Sequence, residues 1–113
     1  MKLLTKALEK KFPKLYANEH KESKDIKIIA KFFCPWNQWT WFATEYDGED
    51  TFFGYVMGYD YELGYFSLSE LSSIRGFGGL GIERDLHFEE CSLEDVMRTD
   101  VYWKELIWNL ENG

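Results

Sequence analysis

The sequence predicts an α+β fold: a four- or five-stranded antiparallel meander sheet with short N- and C-terminal helices packed on it. Three observations carry this. Strand-like segments cluster in residues 26–66, helical periodicity is confined to the flanks, and no strand–helix–strand alternation builds a parallel sheet. At 113 residues there is room for a single domain. It is organised as a basic helix and polar loop (1–25), an aromatic sheet (26–66), and helices with a glycine loop (67–113).

Leu4, Leu8 and Phe12 recur at i, i+4 and i+8, Thr5 supplies a cap and Pro13 a stop, so 4–12 reads as a short amphipathic helix. Residues 18–25 are polar throughout and read as an exposed loop. Ile26 to Phe33 is β-branched and aromatic, a strand, and Pro35-Trp36-Asn37 turns it. Gln38 to Tyr46 is a second strand, with Trp39, Trp41 and Ala43 on one face and Gln38, Thr40 and Phe42 on the other. Asp47-Gly48 supplies the positive φ of a tight hairpin. Thr51 to Tyr59 follows, with Phe53, Tyr55, Met57 and Tyr59 opposed to Phe52, Gly54, Val56 and Gly58. It is apolar on both faces and therefore needs cover on both. A turn around Asp60 leads into a short fourth strand, Gly64 to Phe66.

Ser67-x-x-Glu70 is a capping box ahead of Leu71 and Ile74, with Gly76 as the stop. Ile82 to Phe88 reads as extended, and Ser92-x-x-Asp95 opens a helical turn. Asp100 caps a final helix with Trp103, Leu106, Ile107 and Leu110 as its stripe.

Composition narrows the class. With 45% hydrophobic and 29% charged residues the chain is globular, not disordered. No apolar run approaches a membrane span, residues 1–6 lack a signal-peptide stretch, and two cysteines make no disulfide framework. The expected setting is a reduced cytoplasm. Charge is uneven: residues 1–31 hold nine lysines against four acids, and residues 32–113 hold four basic residues against sixteen acids, for a net −7. Spread over about 6,500 Å², that is about one charge per 900 Å². A DNA duplex carries about one per 100 Å². Imitation of DNA would therefore require the acids to gather on one face.

Several stretches together resemble one family: Met1 to Lys6, Lys31 to Trp41, Phe53-Gly54-Tyr55-Val56, Gly64 to Leu71, and Gly79 to Phe88 with its Glu-Arg-Asp-Leu-His-Phe string. The chain resembles the bacterial and phage family called domain of unknown function 2958 over most of residues 1–90. The resemblance implies a setting on plasmids, phages and integrative elements, and an accessory or anti-defence role, without an established activity.

Gly76-Phe77-Gly78-Gly79-Leu80-Gly81 spells G-x-G-x-x-G, but a helix precedes it and an extended segment follows. The dinucleotide fingerprint needs a strand before and a helix after, so a connecting loop is the better reading. In Glu83-Arg84-Asp85-Leu86-His87 a strand would put Glu83, Asp85 and His87 on one face. Two carboxylates and an imidazole are metal-ligand or acid/base chemistry, though side chains along one strand point in parallel and do not converge. Cys34 reads as a small buried hydrophobe, and the acids around Cys91 discourage its thiolate.

The aromatics decide more. Twenty-one of them at about 200 Å² each need about 4,200 Å² of cover, within the roughly 13,000 Å² that folding hides. Two short helices dress only part of the sheet, so an uncovered patch is expected around Trp36, Trp39 or Tyr61. The function expected is that of a non-enzymatic accessory binding protein of a mobile element, with no cofactor. It engages a protein partner through an acidic, aromatic-rich surface at Trp36, Trp39 and Tyr61, or pairs with a second copy of itself. The alternative is a small metal-dependent or acid/base enzyme using Glu83, Asp85 and His87. A third, weaker reading is nucleic-acid binding through the basic residues 2–31, Lys6, Lys10 and Lys14 among them; it is disfavoured because residues 38–66 contain no Lys or Arg and the acidic remainder repels a phosphate backbone.

Overall fold

Alternation of large apolar side chains through residues 40–67 dictates a sheet with two buried faces, and a computed structural model of residues 2–112 shows one. The side chains of residues 99–107 are not described. The elements in order are α1 (Lys6–Glu9), β1 (Lys27–Ile28), β2 (Ala30–Phe33), β3 (Thr40–Tyr46), β4 (Thr51–Met57), β5 (Tyr61–Ser67), α2 (Leu68–Ser73), β6 (Glu83–Arg84), β7 (Cys91–Ser92) and α3 (Leu93–Asn112). Five strands form an antiparallel sheet in the order β5-β4-β3-β2-β6, and β1 pairs separately with β7. The α+β meander is therefore the architecture.

Each face has its own core. On the first, Ala30, Phe32, Trp41, Ala43, Tyr46, Phe52 and Phe66 are covered by Leu3, Leu4, Leu8 and Phe12 from the N-terminal segment and by Leu68 and Leu71 of α2. Thr5 caps α1 by accepting the Leu8 N–H at 3.2 Å, and Ser67 caps α2 by accepting that of Glu70 at 3.0 Å. On the second face, Phe42, Tyr55 and Met57 are covered by Ile26, Ile28, Phe88 and the first turns of α3 through Leu93, Val96 and Met97. Cover on both faces of β4 is what its sequence requires.

Four details depart from the sequence reading. The strand expected over 26–33 divides, because Lys27 and Ile28 pair with Ser92 and Cys91 while β2 begins at Ala30. The fourth strand is seven residues long, Tyr61–Ser67, because β4 ends at Met57 and the turn closes through Gly58 N–H to Asp60 C=O. Tyr59 thus lies in the turn and not on the β4 face. No helix begins at Asp100, since α3 runs unbroken from Leu93 to Asn112 with no Gly or Pro to interrupt it. The box that does open it is Ser92 with Asp95, each accepting the other's backbone N–H, at 3.1 and 3.3 Å. Trp103, Leu106 and Ile107 of the expected stripe lie outside the described side chains, and Leu110 is exposed.

A bulge in β3 controls which residues face where. Ala43 pairs with Gly54 but Glu45 pairs with Phe53, leaving Thr44 as the extra residue. Without it, strict alternation would send Glu45 into the first core and Tyr46 out of it. With it, Tyr46 joins that core and Glu45 turns to the second face.

The β3–β4 hairpin is closed by one carboxylate. Asp47 Oδ1 accepts the N–H groups of Glu49, Asp50 and Thr51 at 2.8, 2.9 and 3.0 Å. Those donors favour its charged form and hold the carboxyl below the usual aspartate range. A depressed folded value contributes stability above the unfolded pKa of about 3.9. That contribution should disappear as pH falls from there through the folded value. A carbon-detected NMR titration should show Asp47 ionising below the usual aspartate range, with the amides of 49–51 shifting in step. An ordinary aspartate titration would contradict the assigned role.

Candidate functional site

The turn between β2 and β3 carries two tryptophans, and local hydrogen bonds fix it. Cys34 N–H donates to Trp39 C=O at 3.0 Å, and Asn37 Oδ1 accepts the Trp39 N–H at 2.9 Å. Each indole then lies on a glycine. A Cβ at Gly58 would sit 2.4 Å from Cη2 of Trp39, and one at Gly76 would sit 2.6 Å from Cδ2 of Trp36. No real Cβ tolerates such distances, so glycine is the residue that admits both rings.

These two stacks tie three loops together at one end of the first face. Trp39 also meets Trp41 at 5.8 Å and takes Tyr59 edge-on at 5.4 Å. Gly76 leads into Phe77 in a loop closed by Gly76 N–H to Leu80 C=O at 2.7 Å. Trp39 is half-buried and Trp36 is exposed, while Tyr59 is 94% and Phe77 97% exposed. Two large rings thus stand in water on a scaffold that is itself held in place. The adjoining turn carries Asp60, the strand after it Glu62, and residues 57–63 hold no cation. Arg75 points its guanidinium at the carbonyls of Ser72 and Ile74, at 2.6 and 2.8 Å.

Trp36 and Trp39 therefore share a site, and Tyr61 does not. Tyr61 pairs with Met57, whose side chain belongs to the second core, so it faces the other side of the sheet. Tyr59 and Phe77, which the sequence reading did not select, take its place. The signal available for them was the pairing of each tryptophan with a glycine followed by an aromatic residue, Gly58-Tyr59 and Gly76-Phe77.

The Glu83–His87 stretch does not form one face. Only Glu83 and Arg84 are in a strand, opposite Phe33 and Phe32. Asp85 then folds the chain by accepting the His87 N–H at 2.9 Å on Oδ1, and its Oδ2 lies 3.6 Å from Lys31 Nζ. That turn breaks the i, i+2, i+4 alternation and leaves His87 exposed. Among the described residues no three His, Cys, Asp or Glu side chains are grouped to hold a metal ion. Arg84 donates to the carbonyls of Leu3 and Lys2, at 2.8 and 3.3 Å, which ties the N-terminal segment to β6.

The glycine loop follows α2 and precedes a two-residue strand, with Gly78 and Gly79 at positive φ. That order is the reverse of a dinucleotide fingerprint. Cys34 is buried, and the Cys91 thiol is pushed up first by burial and then by Asp95. The basic N-terminal third is partly engaged with the acidic remainder: Lys11 and Lys27 approach Glu90 at 3.8 and 3.7 Å. No helix among the described residues is long and apolar enough to cross a membrane.

No curated protein and no solved structure matches the chain. One family model does, over residues 3–97, which takes in both cores, the tryptophan turn, the glycine loop and the start of α3. The match covers well over half of the sequence, and the chain belongs to the family described as protein of unknown function (DUF2958).

Proposed function

We propose that this chain is a non-enzymatic binding module that engages a protein partner through the aromatic end formed by Trp36, Trp39, Tyr59 and Phe77. The observation that carries the reading is the near-complete exposure of Tyr59 and Phe77 beside a tryptophan pair locked onto Gly58 and Gly76. Rigid aromatic anchors lose little conformational entropy on binding and dominate interface energetics. The adjoining charge favours a partner with basic residues at the rim, since Asp60 and Glu62 lie beside the Gly58–Tyr59 turn. The same charge disfavours nucleic acid. The mobile-element setting implied by the family resemblance fits an accessory role, including interference with a host defence protein.

Affinity capture from host lysate with the intact chain tests this, run at low and high salt and beside a Tyr59→Ala/Phe77→Ala chain. A specific protein should be retained by the wild type and lost from the double variant. Retention by both chains alike, or duplex DNA binding at physiological salt abolished by replacing Lys6, Lys10 and Lys14, would contradict the proposal.

A further inference from the structure

The second face of the sheet holds a cavity that the aromatic end does not use. It measures ≈ 430 Å³ and lies between the loop at 16–26 and strands β3, β4 and β5. Tyr16, Phe53 and Tyr65 supply aromatic wall, Leu63 and Leu93 apolar wall, and Glu45 a carboxylate. We propose that this cavity binds an organic cation, an alkylammonium group of the lysine or trimethyl-lysine kind.

The argument starts from Glu45. The β3 bulge turns it to this face, where it is only 4% exposed. Its oxygens accept the backbone N–H groups of Tyr16 and Asn18, at 2.8 and 3.1 Å. Each oxygen keeps a further lone-pair site. Among the described residues no Lys or Arg forms an ion pair with it. A carboxylate withdrawn from water without a cation is costly, and a cationic guest supplies what is missing.

The surrounding rings suit the same guest. Phe53 and Tyr65 meet at 5.0 Å, edge to face, and Tyr16 stands in the same wall. Tyr16 is held at φ +70°, the one positive-φ residue besides glycine among those described, and its N–H bond to Glu45 helps to hold it there. Strain of this kind gathers where a ring must be placed for a ligand. Aromatic faces next to a carboxylate are the recognised chemistry for ammonium groups. One further polar atom awaits a partner: Asn18 lies in the wall, buried, and its Nδ2 has none. A guest carrying a carbonyl beside its cation would answer both. Lys21 is the one basic residue of the lining, against Glu19 and Glu45, and it is exposed at the rim. An anion would meet both carboxylates.

The test is NMR titration of the intact chain with three probes: butyltrimethylammonium, acetyl-trimethyl-lysine methylamide, and the neutral analogue of the latter with carbon in place of nitrogen. Saturable shifts at Tyr16, Phe53 and Tyr65 are expected with the two cations, and binding at least about tenfold weaker with the neutral analogue. If the guest is borne on a peptide, the methylamide binds more tightly than butyltrimethylammonium, and if it is a free amine the two are equal. Glu45→Gln should weaken cation binding at least about tenfold. Because Glu45 also anchors the loop, Tyr65→Leu on the exposed edge strand is the second variant, and it should weaken the cations without affecting the neutral probe. Equal binding of the neutral analogue, tighter binding of inorganic phosphate, or the absence of saturable shifts would overturn the proposal.

Discussion

Replacing Phe52 by alanine is expected to cost about 3–5 kcal/mol, the range for deleting a fully buried phenyl ring. Phe52 is completely buried at the centre of the first core, with ring centroids 4.5 Å from Tyr46, 5.3 Å from Phe66, and 5.5 Å from both Phe12 and Phe32. Those partners come from the N-terminal segment and from three different strands, β2, β3 and β5. No single side-chain movement can refill the space. Against a total stability of about 5–15 kcal/mol, the loss is a large fraction of what holds the domain together. With a urea m-value of about 1–3 kcal/mol/M, the unfolding midpoint should fall by about 2 M. A loss below about 1 kcal/mol would mean that the core is not centred on this ring.

The second large effect is expected at Gly54, and it comes with an internal control. A Cβ there would lie within 2.8 Å of the Phe42 carbonyl carbon and closer still to its oxygen, both backbone atoms in the neighbouring strand. They cannot rotate aside, and the bulge beginning at Ala43 is what brings them so near. Gly54→Ala should cost at least about 3 kcal/mol, the upper end of the overpacking range. Gly64 pairs with Gly54 on the next strand, and nothing lies within 4 Å of its would-be Cβ. Gly64→Ala should be neutral or stabilise by up to about 1 kcal/mol, through the unfolded-state entropy alone. Equal effects at the two positions, read by denaturant unfolding, would contradict the bulge geometry.

Much of the fold is legible in the alternation of residues 39–57. Trp41, Ala43, Phe52 and Val56 do go to one core, and Phe42, Tyr55 and Met57 to the other. Period-two patterning reports faces because side chains alternate strictly while the ladder is regular. It fails where the ladder is not. Thr44 is the inserted residue, so Glu45 and Tyr46 swap faces relative to their sequence parity. The trace left in the sequence is Gly54, whose missing side chain makes room for the bulged strand. The candidate site shows the same boundary. Trp36 and Trp39 stand out by residue type, but their positions depend on Gly58 and Gly76, one near in sequence and the other far. Residue type alone groups Tyr61 with the two tryptophans. The turn at Gly58–Asp60 restarts the register and assigns it to the opposite face. The Glu83–His87 alternation fails for a local reason, an Asp85 side chain that bonds the backbone two residues on.

The claim that the aromatic end is a protein-binding surface is tested most directly by the affinity of the captured partner for the Tyr59→Ala/Phe77→Ala chain. Both rings are almost wholly exposed, so their removal should leave the unfolding free energy unchanged to within about 0.5 kcal/mol per site. As interface anchors they should together be worth about 2–4 kcal/mol, a weakening of roughly 30-fold or more in Kd by calorimetry. Leu86→Ala, an exposed side chain beside Ile29 and Ala30 at the end of β2 away from the tryptophan turn, serves as the control and should bind the partner as the wild type does. A double variant that binds with unchanged Kd, or a Leu86→Ala chain that loses the partner instead, would contradict the account.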